Sequence, residues 1–124
     1  MYKVGIKDHI MIGHSLKGEV FGPAQNMHGA TYNVTAIFCS PSVSKDNIVI
    51  DMGRAHEVIK EVLAPLNYKN LDELPVFENC VTTTEYLAKY IHDAVKKKVA
   101  VEFNGTIEII LDESHVAWAS YSGE

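Results

Sequence analysis

Met27–Phe38 reads MHGATYNVTAIF, and the alternation within it decides the fold. His28, Ala30, Tyr32, Val34, Ala36 and Phe38 share one parity, while Thr31, Asn33 and Thr35 share the other. Side chains two apart on a strand point to the same face of a sheet. The stretch is therefore a long strand with one apolar face, ended by Pro41 and Ser42. His28 and position 30 lie together on that face. Two histidines so spaced, joined by a third from a neighbouring strand, make a zinc site. Position 30 is Ala30, so Phe21–Tyr32, FGPAQNMHGATY, has the shape of a metal-and-catalysis motif with part of its chemistry removed.

Working outward, Tyr2, Val4, Ile6, Ile10 and Ile12 alternate with more polar neighbours and predict an opening strand. Asp51 is placed to cap a helix whose buried stripe is Ala55, Val58, Ile59, Val62, Leu63 and Leu66. An irregular connection, Asn67 to Val81, contains Pro75. Thr82-Thr83-Thr84-Glu85 then reads as a capping box that opens a second helix. Leu87, Ile91, Ala94 and Val95 face inward with Tyr86 and Tyr90 alongside, and His56 and His92 are expected on exposed helix faces. After Asn104-Gly105 comes a strand in which Ile107, Ile109, Leu111 and Glu113 share one parity. A last strand holds Val116, Trp118 and Tyr121, with Trp118 and Tyr121 expected to pack it.

The order is ββααββ, an α+β chain in one domain, residues 1–124. It predicts an antiparallel four-stranded sheet with both helices on one face. The sheet edges are left open, and an open edge invites pairing. A ring of subunits would remove the edges, so self-association is expected.

The bulk numbers exclude several classes. The chain is 47% hydrophobic and 22% charged, ordinary for a globular protein, with net charge −5. The one basic run, Lys96-Lys97-Lys98, ends a helix, where cations complement the dipole. An acidic chain without a basic face argues against nucleic acid as partner. No apolar run reaches the ~18 residues of a membrane span. Cys39 and Cys80 lack the spacing of a metal knuckle or a disulfide framework. The opening residues lack the apolar core of a leader, and a cytoplasmic location is expected. Glu113 stands out, because a carboxylate closing an apolar strand face is costly unless something satisfies it. A ligand bearing N–H groups would do so.

Several segments in order resemble the 6-pyruvoyltetrahydropterin synthase family and its bacterial relative, 6-carboxytetrahydropterin synthase. They are GHSL at Gly13–Leu16, MHGATYNV at Met27–Val34, IDMG at Ile50–Gly53, NYKNLDELPVF at Asn67–Phe77, TTTEYLAKYI at Thr82–Ile91, and DES with Tyr121 from Asp112 onward. The resemblance implies the T-fold, in which subunits close a barrel, with homohexamers and sites at subunit interfaces. It implies zinc held by three histidines, of which His14 and His28 match two and Ala30 stands at the third. His9 or His115 is a conceivable substitute. The family's cysteine or glutamate acid-base position is Ala24, and its aspartate-histidine pair is Asn67 and Tyr68. An unperturbed tyrosine titrates near pH ~10, so Tyr68 is a poor base at neutrality.

What the resemblance leaves intact is ring binding. Glu113 matches the glutamate that anchors the pterin, and Thr84 and Glu85 match the threonine-glutamate beside it. The expectation is a homologue that binds a pterin or purine-like ring without the family's triphosphate elimination. The alternative is an active carbon–oxygen lyase on dihydroneopterin triphosphate or a related pterin, belonging to tetrahydrobiopterin or queuosine biosynthesis. It would use Tyr68, Cys80 or His115 as substitute acid or base, with zinc on His14 and His28.

Overall fold

In the computed structural model, which describes residues 1–124, β1 (Tyr2–His14) and β2 (His28–Ser40) pair antiparallel along their whole length. Tyr2 lies opposite Ser40 and His14 opposite His28. This register puts even residues of both strands on one face. Ile10, Ile12 and His14 are accordingly buried with Tyr32, Val34, Ala36 and Phe38. β4 (Thr106–Ser114) pairs with the other side of β2 and contributes Ile107, Ile109 and Leu111 to the same core. β5 (Ala117–Gly123) closes that edge. Two helices cover the apolar face: α1 (Met52–Leu63) packs on β1, and α2 (Thr84–Val99) packs on β4, β5 and α1. The α+β reading holds.

The sheet has five strands, not four, in the order β3-β1-β2-β4-β5. β3 is only Lys69–Asn70 and runs parallel to β1 at Ile12–Gly13. Two residues carry no periodicity, so the alternation that finds the other strands cannot find this one. What forms it is the need of an edge strand for partners. Tyr68 N–H donates to the Met11 carbonyl at 2.7 Å, and Met11 N–H donates to Asn67 Oδ1 at 3.0 Å.

Asp51 caps α1 as expected, accepting from the N–H groups of Gly53 and Arg54 at 2.8 and 3.3 Å. The second cap differs by one residue. Thr83, not Thr82, accepts from Tyr86 N–H at 3.1 Å. Glu85 is then one position too early to close a capping box. Any of three threonines can cap; Thr82 is taken by a buried contact with His14. His92 is also buried rather than exposed, facing β5 from the inner side of α2. Trp118 is 66% exposed. It pairs with Asp112 on the polar face, while Tyr121 has the helix-side parity and packs edge-on to His92.

Gly105 is the tightest backbone position. A Cβ there would lie 2.3 Å from the Cys39 carbonyl and 2.6 Å from the Phe103 ring. Phe103 itself stacks edge-on against Phe38 at 5.4 Å, so it cannot withdraw freely. Gly105→Ala is expected to destabilise by ~3 kcal/mol, through overpacking and a displaced backbone. In calorimetry that is a fall of about 10 °C in the melting midpoint. A fall under about 3 °C would show that the turn before β4 yields easily.

Candidate functional site

The chemistry-bearing side chains gather where β1 ends and β2 begins. His14 and His28 are a directly opposed cross-strand pair, with ring centroids 4.6 Å apart and planes at 63°. His14 is buried, and its Nδ1 meets Thr82 Oγ1 at 3.1 Å. His28 Nδ1 lies 2.9 Å from the Asn26 carbonyl. A carbonyl only accepts, so Nδ1 carries the proton and the neutral ring presents Nε2 as a lone pair. Burial, and next the neighbouring His28, push the His14 imidazole below its ordinary value, against Thr82, Asp72 and Glu113, which act upward.

Tyr32 stands two turns of the pleat inward from His28. It is 1% exposed, and its hydroxyl meets Thr84 Oγ1 at 3.2 Å. Burial raises the phenol; the Thr84 contact lowers it, and Glu113 and Glu85 raise it further. Tyr32 therefore stays protonated and can donate. Through its charge, Glu113 acts upward on both the His14 imidazole and the Tyr32 phenol. It sits at a β-bulge: Asp112 pairs with Trp118 and Ser114 with Ala117, so Glu113 has no cross-strand partner. Its carboxylate makes no hydrogen bond or ion pair within the chain, and the residue is exposed rather than closing the apolar face that its parity predicted, because the bulge breaks the alternation. Thus β2 and the first turn of α2 bring together Tyr32 and Thr84 from positions far apart in sequence.

The other candidates are placed differently. His9 is exposed and has odd parity on β1, so it points away from His14. His115 lies in the exposed turn between β4 and β5. Ala24 belongs to a 3₁₀ segment, Glu19–Gln25, held by its carbonyl to Leu16 N–H at 2.9 Å. The Asn67 side chain is committed to Met11 at the sheet edge. Tyr68 is 76% exposed, with φ of 60°, an uncommon left-handed conformation for a residue other than glycine. Within one chain, no group of three or more His, Cys, Asp and Glu side chains is placed to hold a metal. His14 and His28 offer two donors where a well-held zinc takes three or four. The donor set of one chain does not fit a zinc site.

A cleft of about 430 Å³ lies behind Thr82, lined by Ser15, Lys17, Asp72, Phe77 and Cys80 among others. Asp72 accepts from Ser15 N–H at 3.1 Å and from its hydroxyl. Cys80 is exposed, and the Tyr86 hydroxyl donates to its sulfur at 3.2 Å. That contact, then burial, raises the Tyr86 phenol. Sequence reading missed Thr82 as the partner of His14, and Tyr32 as the partner of Thr84. The even parity of Tyr32 on the His28 face was the available signal for the second. Nothing in a run of three threonines distinguishes the first.

Residues 3–124 match the family model described as 6-pyruvoyl tetrahydropterin synthase. The 6-pyruvoyl tetrahydrobiopterin synthase of Poecilia reticulata is 33% identical over 110 residues, covering 86% of this chain and 74% of that protein. The Homo sapiens protein of the same name is 27% identical over 110 residues, with the same coverage. Among solved structures, Caenorhabditis elegans 6-pyruvoyl tetrahydropterin synthase superposes with a TM-score of 0.85 at 20% identity, covering 99% of this chain and 96% of that one. The Plasmodium falciparum protein superposes with a TM-score of 0.79 at 18% identity, covering 98% and 97%. No helix is long and apolar enough to cross a membrane.

Proposed function

Since the chain belongs to the 6-pyruvoyl tetrahydropterin synthase family, we propose that it binds a pterin or similar bicyclic ring through Glu113, without the family's triphosphate elimination. The carrying observation is Glu113 itself: an exposed carboxylate held out of the β-ladder by a bulge and without a hydrogen-bond or ion-pair partner in the chain. An ionised carboxylate accepts from both the 2-amino group and the ring N–H of a pterin. The Thr84 hydroxyl, tied to Tyr32, supplies a donor or acceptor beside it. Glu85, in the first turn of α2, completes the polar rim.

Elimination asks for a base and a Lewis acid. Ala24 has no titratable atom, Asn67 is engaged with the backbone of β1, and Tyr68 is exposed at the sheet edge. The histidine pair lacks the donor that Ala30 cannot supply. What these residues still do is bind and orient. Each histidine has Nδ1 engaged by Thr82 or Asn26, leaving His28 Nε2 to accept from a hydroxyl of the ligand side chain.

The assembly follows from the edges. β5 is unpaired on its outer side, and β1 is paired by β3 only at Ile12–Gly13. Joining β5 of one copy to β1 of the next closes the sheet into a barrel. The open edges support self-association into a ring; a homohexamer with the ligand between subunits is the form we propose. A second reading, a lyase with a substitute acid or base, rests on the contact of Cys80 with Tyr86 beside the cleft.

The test is to titrate metal-quantified protein with neopterin by calorimetry, then incubate it with dihydroneopterin triphosphate. Saturable binding with triphosphate release no faster than in buffer is the expected result. Absence of binding at ~1 mM ligand, an affinity of about 4 kcal/mol, would sink the ring-binding reading. Catalysed release that Cys80→Ala abolishes would establish the lyase instead.

A further inference from the structure

The buried His92 of α2, 2% exposed, reaches the end of β5. Its Nε2 lies 3.1 Å from the Gly123 carbonyl oxygen, and its Nδ1 lies 2.9 Å from Asp93 Oδ1. Both partners accept and neither donates. A neutral imidazole has one N–H and an imidazolium has two. Both contacts are therefore hydrogen bonds only when the ring is doubly protonated. From α2, Lys89 Nζ reaches Asp93 Oδ2 at 2.8 Å, and it lies 5.4 Å from the centre of the Tyr121 ring. From β5, Tyr121 meets the imidazole edge-on at 4.7 Å. β4 presents only apolar Ile107 and Ile109 on this face, opposite Gly123 and Tyr121. A Cβ at Gly123 would meet the Tyr121 hydroxyl at 3.3 Å and His92 Cε1 at 3.5 Å, so the close approach is built around glycine.

We propose that His92 is a proton-dependent clamp, whose imidazolium holds the end of β5 on α2 and whose neutral form lets it go. When the ring loses one proton, the charge-assisted bond to Asp93 is the stronger and keeps the remaining one. The Nε2 lone pair then faces the Gly123 carbonyl lone pair, and that contact turns repulsive. The acid limit is set by Asp93. Burial works to raise its carboxyl, but Lys89 and His92 together hold it below the ordinary carboxylate range. A lowered folded-state value means its contribution is present above the ordinary range and lost only as pH falls through the lowered value. The histidine limit has the opposite sign, with fastening lost as pH rises. β5 is thus held most firmly between the two.

Two measurements on the intact chain test this. Nitrogen-15 NMR of the imidazoles across the pH range should show His92 Nδ1 still protonated once Nε2 has lost its proton. Hydrogen exchange of residues 119–123, corrected for intrinsic rate, should lose about tenfold protection between about pH 6 and pH 9, while Tyr32 and Val34 in the central strand hold theirs. Asp93→Asn keeps a hydrogen-bonding side chain but can donate to Nδ1, which leaves Nε2–H for Gly123 in the neutral ring. That variant should keep β5 protected across the range. Loss of the Nδ1 proton before the Nε2 proton, protection independent of pH in the parent chain, or unchanged pH dependence in Asp93→Asn would each overturn the clamp.

Discussion

Glu113→Ala should weaken neopterin binding by ~100-fold or more and leave the melting midpoint within about 2 °C of the parent chain. The two halves of this expectation have one cause. Glu113 sits on a bulge, exposed and without an intramolecular partner, so its removal strands no buried group and opens no cavity. The loss falls on the complex. Two hydrogen bonds to a charged acceptor contribute about 1.5–3 kcal/mol each, and even the lower figure gives ~3 kcal/mol, or about two decades in affinity. Glu113→Gln should not restore binding, because an amide turns a donor toward the ring's own donors. Calorimetric titration of the three proteins decides the matter. Affinity in Glu113→Ala within about threefold of the parent would remove Glu113 from the site and leave the bulge as a backbone irregularity.

Ala30→His should convert a chain that holds zinc well below stoichiometry into one that holds about one ion per chain after dialysis. Position 30 has the parity of His28 and lies one pleat further along β2, opposite Ile12. His14 and His28 are already 4.6 Å apart between centroids. Each has Nδ1 engaged, which is how ligating histidines are usually oriented. Ala30 is only partly buried, so a larger side chain has room to leave the core. Elemental analysis of both proteins, with circular dichroism as the folding control, reads the outcome. Stoichiometric zinc in the parent chain would show that a donor outside the single chain completes the site. No gain in a folded Ala30→His protein would show that the imidazoles do not converge.

The fold was largely legible because its signals are periodic. His28 to Phe38 and Ile107 to Leu111 carry a repeat of two, and Ala55 to Leu66 and Leu87 to Val95 a helical repeat, long enough to survive local noise. β3 escaped because it is two residues made by an edge, not by a pattern. His92 escaped because histidine is compatible with either side of a helix, and its burial is set by β5, which is remote in sequence. In the candidate site, residue types were legible and the contacts among them were not. His14, His28 and Glu113 carried signals of type, spacing or parity. Thr82 did not, because the residue that caps α2 and the residue that holds His14 are chosen by packing among three identical side chains.

The amino-acid sequence by itself determined the alternation, the helix stripes and the side chains available, including the absence of a titratable group at Ala24 and Ala30. Those are properties of single positions or of neighbours along the chain. Only the tertiary structure decided which of the remaining groups meet. The β1–β2 register set His14 against His28, the bulge in β4 freed Glu113 from the ladder, and the β1 edge engaged Asn67. The reason is physical: hydrogen bonds and charge interactions act over a few ångströms, and residues from 14 to 113 come within that range only once the sheet has folded.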